Sequence, residues 1–220
     1  MPFIVSEDIA DEDFDSLFAI QYKAFSNQPA LKACSPGGLD NPGRSENVAR
    51  FIDVLGWKES NVVAAKVVDD ETGEICAFAT MRVCDGNPFA GAKDSDIHCP
   101  QVDEGMRSAV EWTLNTKNDR RRCFEALQVP GSYCYLQALG TDPARQRQGA
   151  ATLLVKWAAR IIDEKGSRAM VEASKDATQY GLYSKQGFRI VDTYDYIDEQ
   201  KFPGFEGMYV VTMVRDAQDR

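Results

Sequence analysis

The stretch that decides the fold is Gly140–Ala151, which reads GTDPARQRQGAA. It follows the β-branched and aromatic run Tyr133–Leu139 and leads into the helical pattern Gly149–Lys165, so it predicts a strand, a loop and a helix in succession. Three small residues open that helix, where free backbone amides and the helix dipole favour an anion such as a pyrophosphate. An ordinary βα turn with solvated polar residues is the alternative, which this stretch alone does not exclude.

The rest of the chain supplies the other elements of an α/β fold. Apolar periodicity predicts helices at Asp11–Phe25, Ser45–Leu55 and Ala177–Gln186. Strands are expected at six further positions, with the second and third forming an antiparallel hairpin: Phe3–Val5, Asn61–Val68, Ile75–Val83, Ala169–Ala173, Phe188–Tyr194 and Met208–Val214. This order indicates a mixed sheet with helices on both faces.

The length of 220 residues and the lack of internal repeats or low-complexity linkers predict one domain, residues 1–220. One segment interrupts the strand order. Asp85–Gln101 is polar and turn-prone, and Asp103–Phe124 has helical periodicity. Because this connection is long, we expect a helical excursion or a lid over a site at about residues 85–125.

Composition narrows the function classes. The 25 basic and 34 acidic residues give a net charge of −9, which argues against nucleic acid and anionic membranes as partners and favours a cationic substrate. No run is apolar enough to span a bilayer, and Met1–Ala10 lacks the pattern of a signal peptide, so we expect a soluble, cytoplasmic protein.

The cysteines and the single histidine, His98, do not predict a metal site. Free buried thiols are the simpler interpretation, although the counts do not exclude a Cys–His hydrolase. The six cysteines form no CxxC pair: Cys34, Cys76, Cys84, Cys99, Cys123 and Cys134.

Two motifs resemble those of the GNAT superfamily of N-acetyltransferases. Gln146–Ala151 (QRQGAA) satisfies the family signature Gln/Arg-x-x-Gly-x-Gly/Ala between a strand and a helix, and Leu182–Phe188 (LYSKQGF) resembles its Leu-Tyr-x-Lys-x-Gly-Phe motif. The resemblance implies a mixed, mostly antiparallel sheet of six to seven strands with helices on both faces. Tyr135–Pro143 and Met170–Ser174 further resemble a branch common in filamentous fungi.

The resemblance also implies acetyl-CoA as the cofactor, or acyl donor. The backbone of Leu139 and Gly140 would pair with the pantetheine arm as an added strand does. The backbone amides of the signature would hold the pyrophosphate: Gln146, Arg147, Gln148, Gly149, Ala150 and Ala151.

Acyl transfer to an amine requires a base for the ammonium group and a proton for the leaving thiolate. Tyr183 matches the family's general acid, with Tyr180 as the nearby alternative and core packing as its other interpretation. Glu172 is a possible base, although an outward-facing strand residue would look the same. Tyr135 and Gln137 stand where the arylalkylamine branch has histidines, and would position water or substrate.

The function expected is acetyl transfer to the primary amine of a small molecule by direct attack in a ternary complex. The alternatives are a peptide or protein acetyltransferase, acting on lysine or an N-terminus, and a non-catalytic acyl-CoA-binding module. The protein would be a monomer or a homodimer.

Three further groups of residues have two interpretations each. The aromatic residues Trp57, Trp112 and Phe89 line a substrate pocket or belong to the core. Arg120–Arg122 contacts the 3′-phosphate of coenzyme A or is a solvated cluster. The acidic run Asp192–Gln200 forms a rim that attracts amines or is an ordinary surface.

Overall fold

The computed structural model describes residues 2–26, 35, 37–86, 131–174, 181–195 and 209–218. The described strands are β1 (Phe3–Ser6), β2 (Val62–Asp69), β3 (Ile75–Cys84), β4 (Tyr133–Thr141), β5 (Arg168–Ser174), β6 (Arg189–Asp195) and β7 (Tyr209–Arg215). The described α-helices are α1 (Phe14–Ala24), α2 (Arg44–Leu55) and α3 (Ala150–Lys165). Short 3-10 helices occupy Asp11–Asp13, Gly38–Asp40, Pro143–Arg145 and Ser184–Gln186.

The seven described strands form one sheet in the order β1-β2-β3-β4-β5-β7-β6. Neighbouring strands are antiparallel except for β4 and β5, which run parallel from Tyr133 opposite Arg168 to Leu136 opposite Val171. The helix α3 makes this parallel connection, as a crossover requires. The mixed, mostly antiparallel sheet expected from the sequence is confirmed, and so is the β2–β3 hairpin.

Helices cover both faces of the sheet. The apolar side of α3, with Leu154 and Ile162 fully buried, packs on a cluster that includes Val171 and Ala173 of β5. On the opposite face α1 and α2 pack around Phe78 of β3. Side chains alternate between the two faces along a strand. Glu172, which lies between Val171 and Ala173, therefore projects toward the α1–α2 face.

The predicted helix Ala177–Gln186 is wrong in its described part. Residues 181–183 form a turn and Ser184–Gln186 a 3-10 helix, whereas residues 177–180 lie outside the described residues. Gly181 has φ of +65° and Gly187 φ of +84°, so left-handed backbone precedes and follows this short segment. An α-helix cannot continue through either position.

Trp57 packs against the core on the α1–α2 face and is partly buried. Its ring lies 5.5 Å from that of Phe14, 5.6 Å from Phe51 and 5.7 Å from Phe78. Such aromatic packing contributes beyond the area it buries. Four of the other candidates fall outside the described residues: Trp112, Phe89, Arg120–Arg122 and His98.

Several other expectations are tested only in the part of the chain that the structure describes. The acidic run begins within β6, which includes Asp192, and its end lies outside the described residues, as does the expected lid beyond Gly86. None of the described helices is both long and apolar enough to cross a membrane, and no cluster of three potential metal ligands occurs among the described side chains.

The described cysteines are buried free thiols, as the sequence suggested: Cys76, Cys84 and Cys134. Burial raises the pKa of the Cys134 thiol to about 11. Since the thiolate is the reactive form, this residue is not suited to nucleophilic catalysis at neutral pH.

Candidate active site

The central feature of the site is an opening between the two parallel strands. Pairing between β4 and β5 ends at Leu136 and Val171, although β4 continues to Thr141 and β5 to Ser174. Beyond this point β4 keeps its bonds to β3, and β5 keeps its bonds to β7. The two strands therefore diverge, and the side of β4 that faces β5 offers backbone donors and acceptors to a strand-like ligand.

A β-bulge lies where the strands begin to diverge. Thr80 is opposite Ala138 and Met81 is opposite Leu136, which leaves Gln137 as the extra residue of β4. Its side-chain Nε2 donates a hydrogen bond of 3.3 Å to the carbonyl oxygen of Val54 at the end of α2. A bulge bends its strand and increases the local twist, which accounts for the departure of β4 from β5.

The loop after β4 ends in an uncapped helix N-terminus. Gly149 precedes α3 with φ of +102°, and none of the described side chains caps the helix there. The first bond within the helix runs from the Leu153 N–H to the Gly149 carbonyl, so the N–H groups of the preceding turn point out of the helix into the loop. Arg147 also has a left-handed backbone, with φ of +64°, a conformation that costs energy and is often kept at functional sites.

Two groups of ion pairs anchor this loop to distant parts of the chain. Lys23 of α1 lies 2.9 Å from the carboxylate of Asp142, which also accepts from the Ala144 N–H. Burial opposes ionisation of Asp142, but these two hydrogen bonds, together with the positive charges of Lys23 and Arg145, outweigh it and lower its pKa below the ordinary value. Arg145 pairs with the fully buried Asp69 at 3.1 Å and with the exposed Glu74 at 2.6 Å.

Glu172 and Tyr135 meet on the α1–α2 face of the sheet. The Tyr135 hydroxyl donates a hydrogen bond of 3.0 Å to the Glu172 carboxylate. Tyr135 is buried and Glu172 is partly exposed. Glu172 follows Val171, the last paired residue of β5. The carboxylate therefore lies where the opening begins.

Tyr183 lies on the other face of the sheet. It is 5% exposed, belongs to the α3-side core, and its ring contacts that of Phe188 at 5.9 Å. Burial raises the pKa of its hydroxyl well above the ordinary value, so the phenol stays protonated at neutral pH. This arrangement fits a proton donor, and it equally fits a tyrosine that only packs in the core.

The comparisons with known proteins agree with these features. Residues 40–188 match the Acetyltransferase (GNAT) family. The chain belongs to this family. Accordingly it is an acyltransferase, and GNAT enzymes generally use acetyl-CoA. The comparison with curated proteins finds no match.

Solved N-acetyltransferase structures share the fold of this GNAT protein at low sequence identity. Arylalkylamine N-acetyltransferase 2 from Aedes aegypti has a TM-score of 0.61 and 16% identity, with 98% of this chain and 99% of that chain covered. An agmatine N-acetyltransferase mutant has a TM-score of 0.64 and 15% identity, with coverage of 97% and 99%. The ribosomal-protein-S18-alanine N-acetyltransferase from Escherichia coli has a TM-score of 0.54 and 13% identity, with 100% of this chain and 96% of that chain covered.

The structure places some of the sequence-predicted residues of this GNAT domain beside the opening, among them Tyr135, Gln137 and Glu172. Leu139 and Gly140 lie on the diverging part of β4, and the signature Gln146–Ala151 leads into α3. Gly140 also permits close packing, because a Cβ there would lie 2.8 Å from the ring of Phe78. Tyr180 lies outside the described residues.

The sequence did not reveal what holds the loop in place. Asp142 and Lys23 are 119 residues apart, and Arg145 and Glu74 are 71 apart. No local pattern marks such pairs. The one usable signal is Asp142 before Pro143, since an aspartate at that position commonly caps a short helix.

We predict that Arg145→Ala destabilises the fold, because it leaves the carboxylate of the buried Asp69 without its ion-pair partner. Glu74→Ala is the matched control, since it removes only the exposed partner of the same arginine. Thermal unfolding should show a clearly lower midpoint for Arg145→Ala than for Glu74→Ala. Equal midpoints would contradict a structural role for the Arg145–Asp69 pair.

Proposed function

We propose that this GNAT protein transfers an acetyl group from acetyl-CoA to the primary amine of a small molecule by direct attack in a ternary complex. The observation that carries the proposal is the opening between β4 and β5, with a tyrosine on one face of the sheet and a carboxylate on the other. Donor and acceptor can approach such an opening from opposite faces, which would let the amine attack the thioester directly.

The residues beside the opening fit acetyl-CoA, which would supply the activated acyl group. The diverging part of β4, including Leu139 and Gly140, can pair with the amide groups of a pantetheine arm. The N–H groups of the first turn of α3 and the guanidinium of Arg147 suit a pyrophosphate. No atom of the described residues lies within 4 Å of the position that a Cβ would take at Gly149, so a ligand can come close to the backbone there.

Glu172 is the proposed base. An alkylammonium of pKa about 10.4 must lose its proton before attack, at a cost of about 4.6 kcal/mol at pH 7. The carboxylate can accept that proton directly or through a water molecule. Tyr135 orients it by hydrogen bonding, and Gln137, whose Oε1 is buried with no partner among the described residues, can position water or the acceptor.

Tyr183 is the proposed acid. Its hydroxyl is protonated at neutral pH because burial raises its pKa, and it lies on the face of the sheet that carries α3. A protonated phenol on that side can donate to the leaving thiolate. The acid and the base then act from opposite faces and do not exchange protons directly.

A small cationic amine is the proposed acceptor. The net charge of −9 favours cations over anions, and the structural neighbours include enzymes named for arylalkylamines and agmatine. Relationship to the branch common in filamentous fungi and a cytoplasmic location remain predictions from the sequence. The same holds for the single domain and for the monomeric or dimeric state.

Glu172→Gln should lower kcat by about 10²- to 10⁴-fold, because an amide still accepts the bond from Tyr135 but cannot take the proton of the amine. Acetyl-CoA affinity, measured by calorimetry, should stay unchanged. Glu164→Gln on the exposed side of α3 is the control. A Glu172→Gln enzyme with normal kcat would remove the base assignment.

Tyr183→Phe should keep the packing against Phe188 and lose the proton donor. We expect a loss in kcat of about 10²- to 10⁴-fold, without a change in the unfolding midpoint or in acetyl-CoA binding. Tyr22→Phe, which changes a tyrosine on α1, is the control. An unchanged kcat in Tyr183→Phe would show that Tyr183 only packs in the core and does not act as the acid.

The function is tested by incubating the protein and acetyl-CoA with a mixed pool of polyamines, arylalkylamines, amino acids, amino sugars and short peptides, followed by mass spectrometry. The proposal predicts one dominant acetylated small amine. Acetylation of peptides alone would replace it with a peptide acetyltransferase. No product, with acetyl-CoA binding confirmed, would favour the non-catalytic module.

A further inference from the structure

An open cleft lies between the outer side of α3 and the segment that leads into β6. It encloses about 620 Å³, and its wall includes four cationic side chains but one acidic side chain. The charged residues of the wall are Lys156, Arg160, Asp163, Lys185 and Arg215.

The acidic residue of this cleft is already neutralised. Arg215, 3% exposed, donates to both carboxylate oxygens of Asp163 at 2.7 Å and 2.9 Å. The Gln218 N–H donates to the same carboxylate at 2.8 Å. Arg215 also donates to the Gln186 carbonyl. Asp163 therefore joins α3 to the end of β7 through these bonds, and its charge in the cleft is neutralised by Arg215.

Two lysines supply the remaining positive charge. Lys156 and Lys185 are exposed, and neither has an ion-pair partner among the residues that the structure describes. Arg160, by contrast, pairs with Glu7 and Glu164. The cleft therefore carries local positive charge, although the chain as a whole has a net charge of −9. The nearby Ser184 hydroxyl and Gln218 amide add neutral hydrogen-bond donors.

The cleft is distinct from the opening in the sheet. Lys156 lies seven residues into α3 from Gly149, which is about 10 Å along the helix axis, and the cleft extends from there toward Asp163. Arg215 is opposite Ala169, at the closed end of β5, whereas Glu172 lies about 10 Å further along that strand. A ligand in the cleft would therefore not contact the reacting atoms.

We propose that this cleft binds a phosphate group through Lys156 and Lys185. A phosphate presents several oxygens and close to two negative charges at neutral pH, which matches two ammonium groups flanked by neutral donors. This assignment gives Lys185, the lysine of the second sequence motif, a function separate from that of Tyr183. The phosphate belongs either to a free anion or to the end of the bound coenzyme remote from its thiol.

The test compares Lys156→Gln/Lys185→Gln with Lys165→Gln, which removes an exposed lysine of the same helix outside the cleft. Inorganic phosphate is titrated into each protein saturated with coenzyme A, and the amide signals of Ser184–Gly187 are followed by NMR. In parallel, calorimetry measures the affinities for coenzyme A and for its 3′-dephospho form. Thermal unfolding checks that all variants are folded.

A site for a free anion would be supported if phosphate shifts these signals in the coenzyme-loaded protein. Its affinity should then be about tenfold weaker in the double variant and unchanged in Lys165→Gln. A loss of about tenfold in affinity for coenzyme A, absent for the dephospho form, would assign the cleft to the coenzyme's own phosphate. A double variant that matches the unmodified protein in both measurements would overturn the proposal. Acetyl transfer is assayed separately without added phosphate, so failure here does not bear on the proposed function.

Discussion

The architecture of this GNAT domain depends on the point where two parallel strands stop pairing. Up to Leu136 and Val171 the strands β4 and β5 form a continuous sheet; beyond it each strand pairs only with its outer neighbour. The extra residue Gln137 bends β4 at this position, and its side chain ties the bend to α2. Without the bulge, the two strands could continue to pair, and the backbone groups available to a ligand would be consumed by the sheet.

The proposed cofactor site also requires that the loop between β4 and α3 keeps a defined position at the N-terminus of α3. The loop between β4 and α3 is largely exposed, so ion pairs and not burial determine its position. Lys23 connects it to α1 and Arg145 connects it to the buried Asp69 at the end of β2. No side chain among the described residues caps the N-terminus of α3, so the N–H groups there stay available to the pyrophosphate proposed above.

The alternation of side chains along β5 places Glu172 on the face of the sheet opposite to that of Tyr183. Val171 and Ala173 join the core beneath α3, so Glu172 between them points toward the α1–α2 face and meets Tyr135. Tyr183 belongs to the α3-side core. The proposed proton acceptor and the proposed proton donor thus lie on opposite faces of the sheet, which suits a reaction that takes a proton from one molecule and delivers a proton to another.

The sequence by itself determined the family, the strand–loop–helix unit, the sheet class and the main candidate residues, because these follow from local periodicity and from two short motifs. It could not show that β4 and β5 diverge, since register depends on contacts between strands. It overextended the helix before Gly187, where left-handed glycines break the pattern. The loop anchors and the pairing of Tyr135 with Glu172 were decided by tertiary structure, because they join residues from 37 to 119 positions apart that share no local signal.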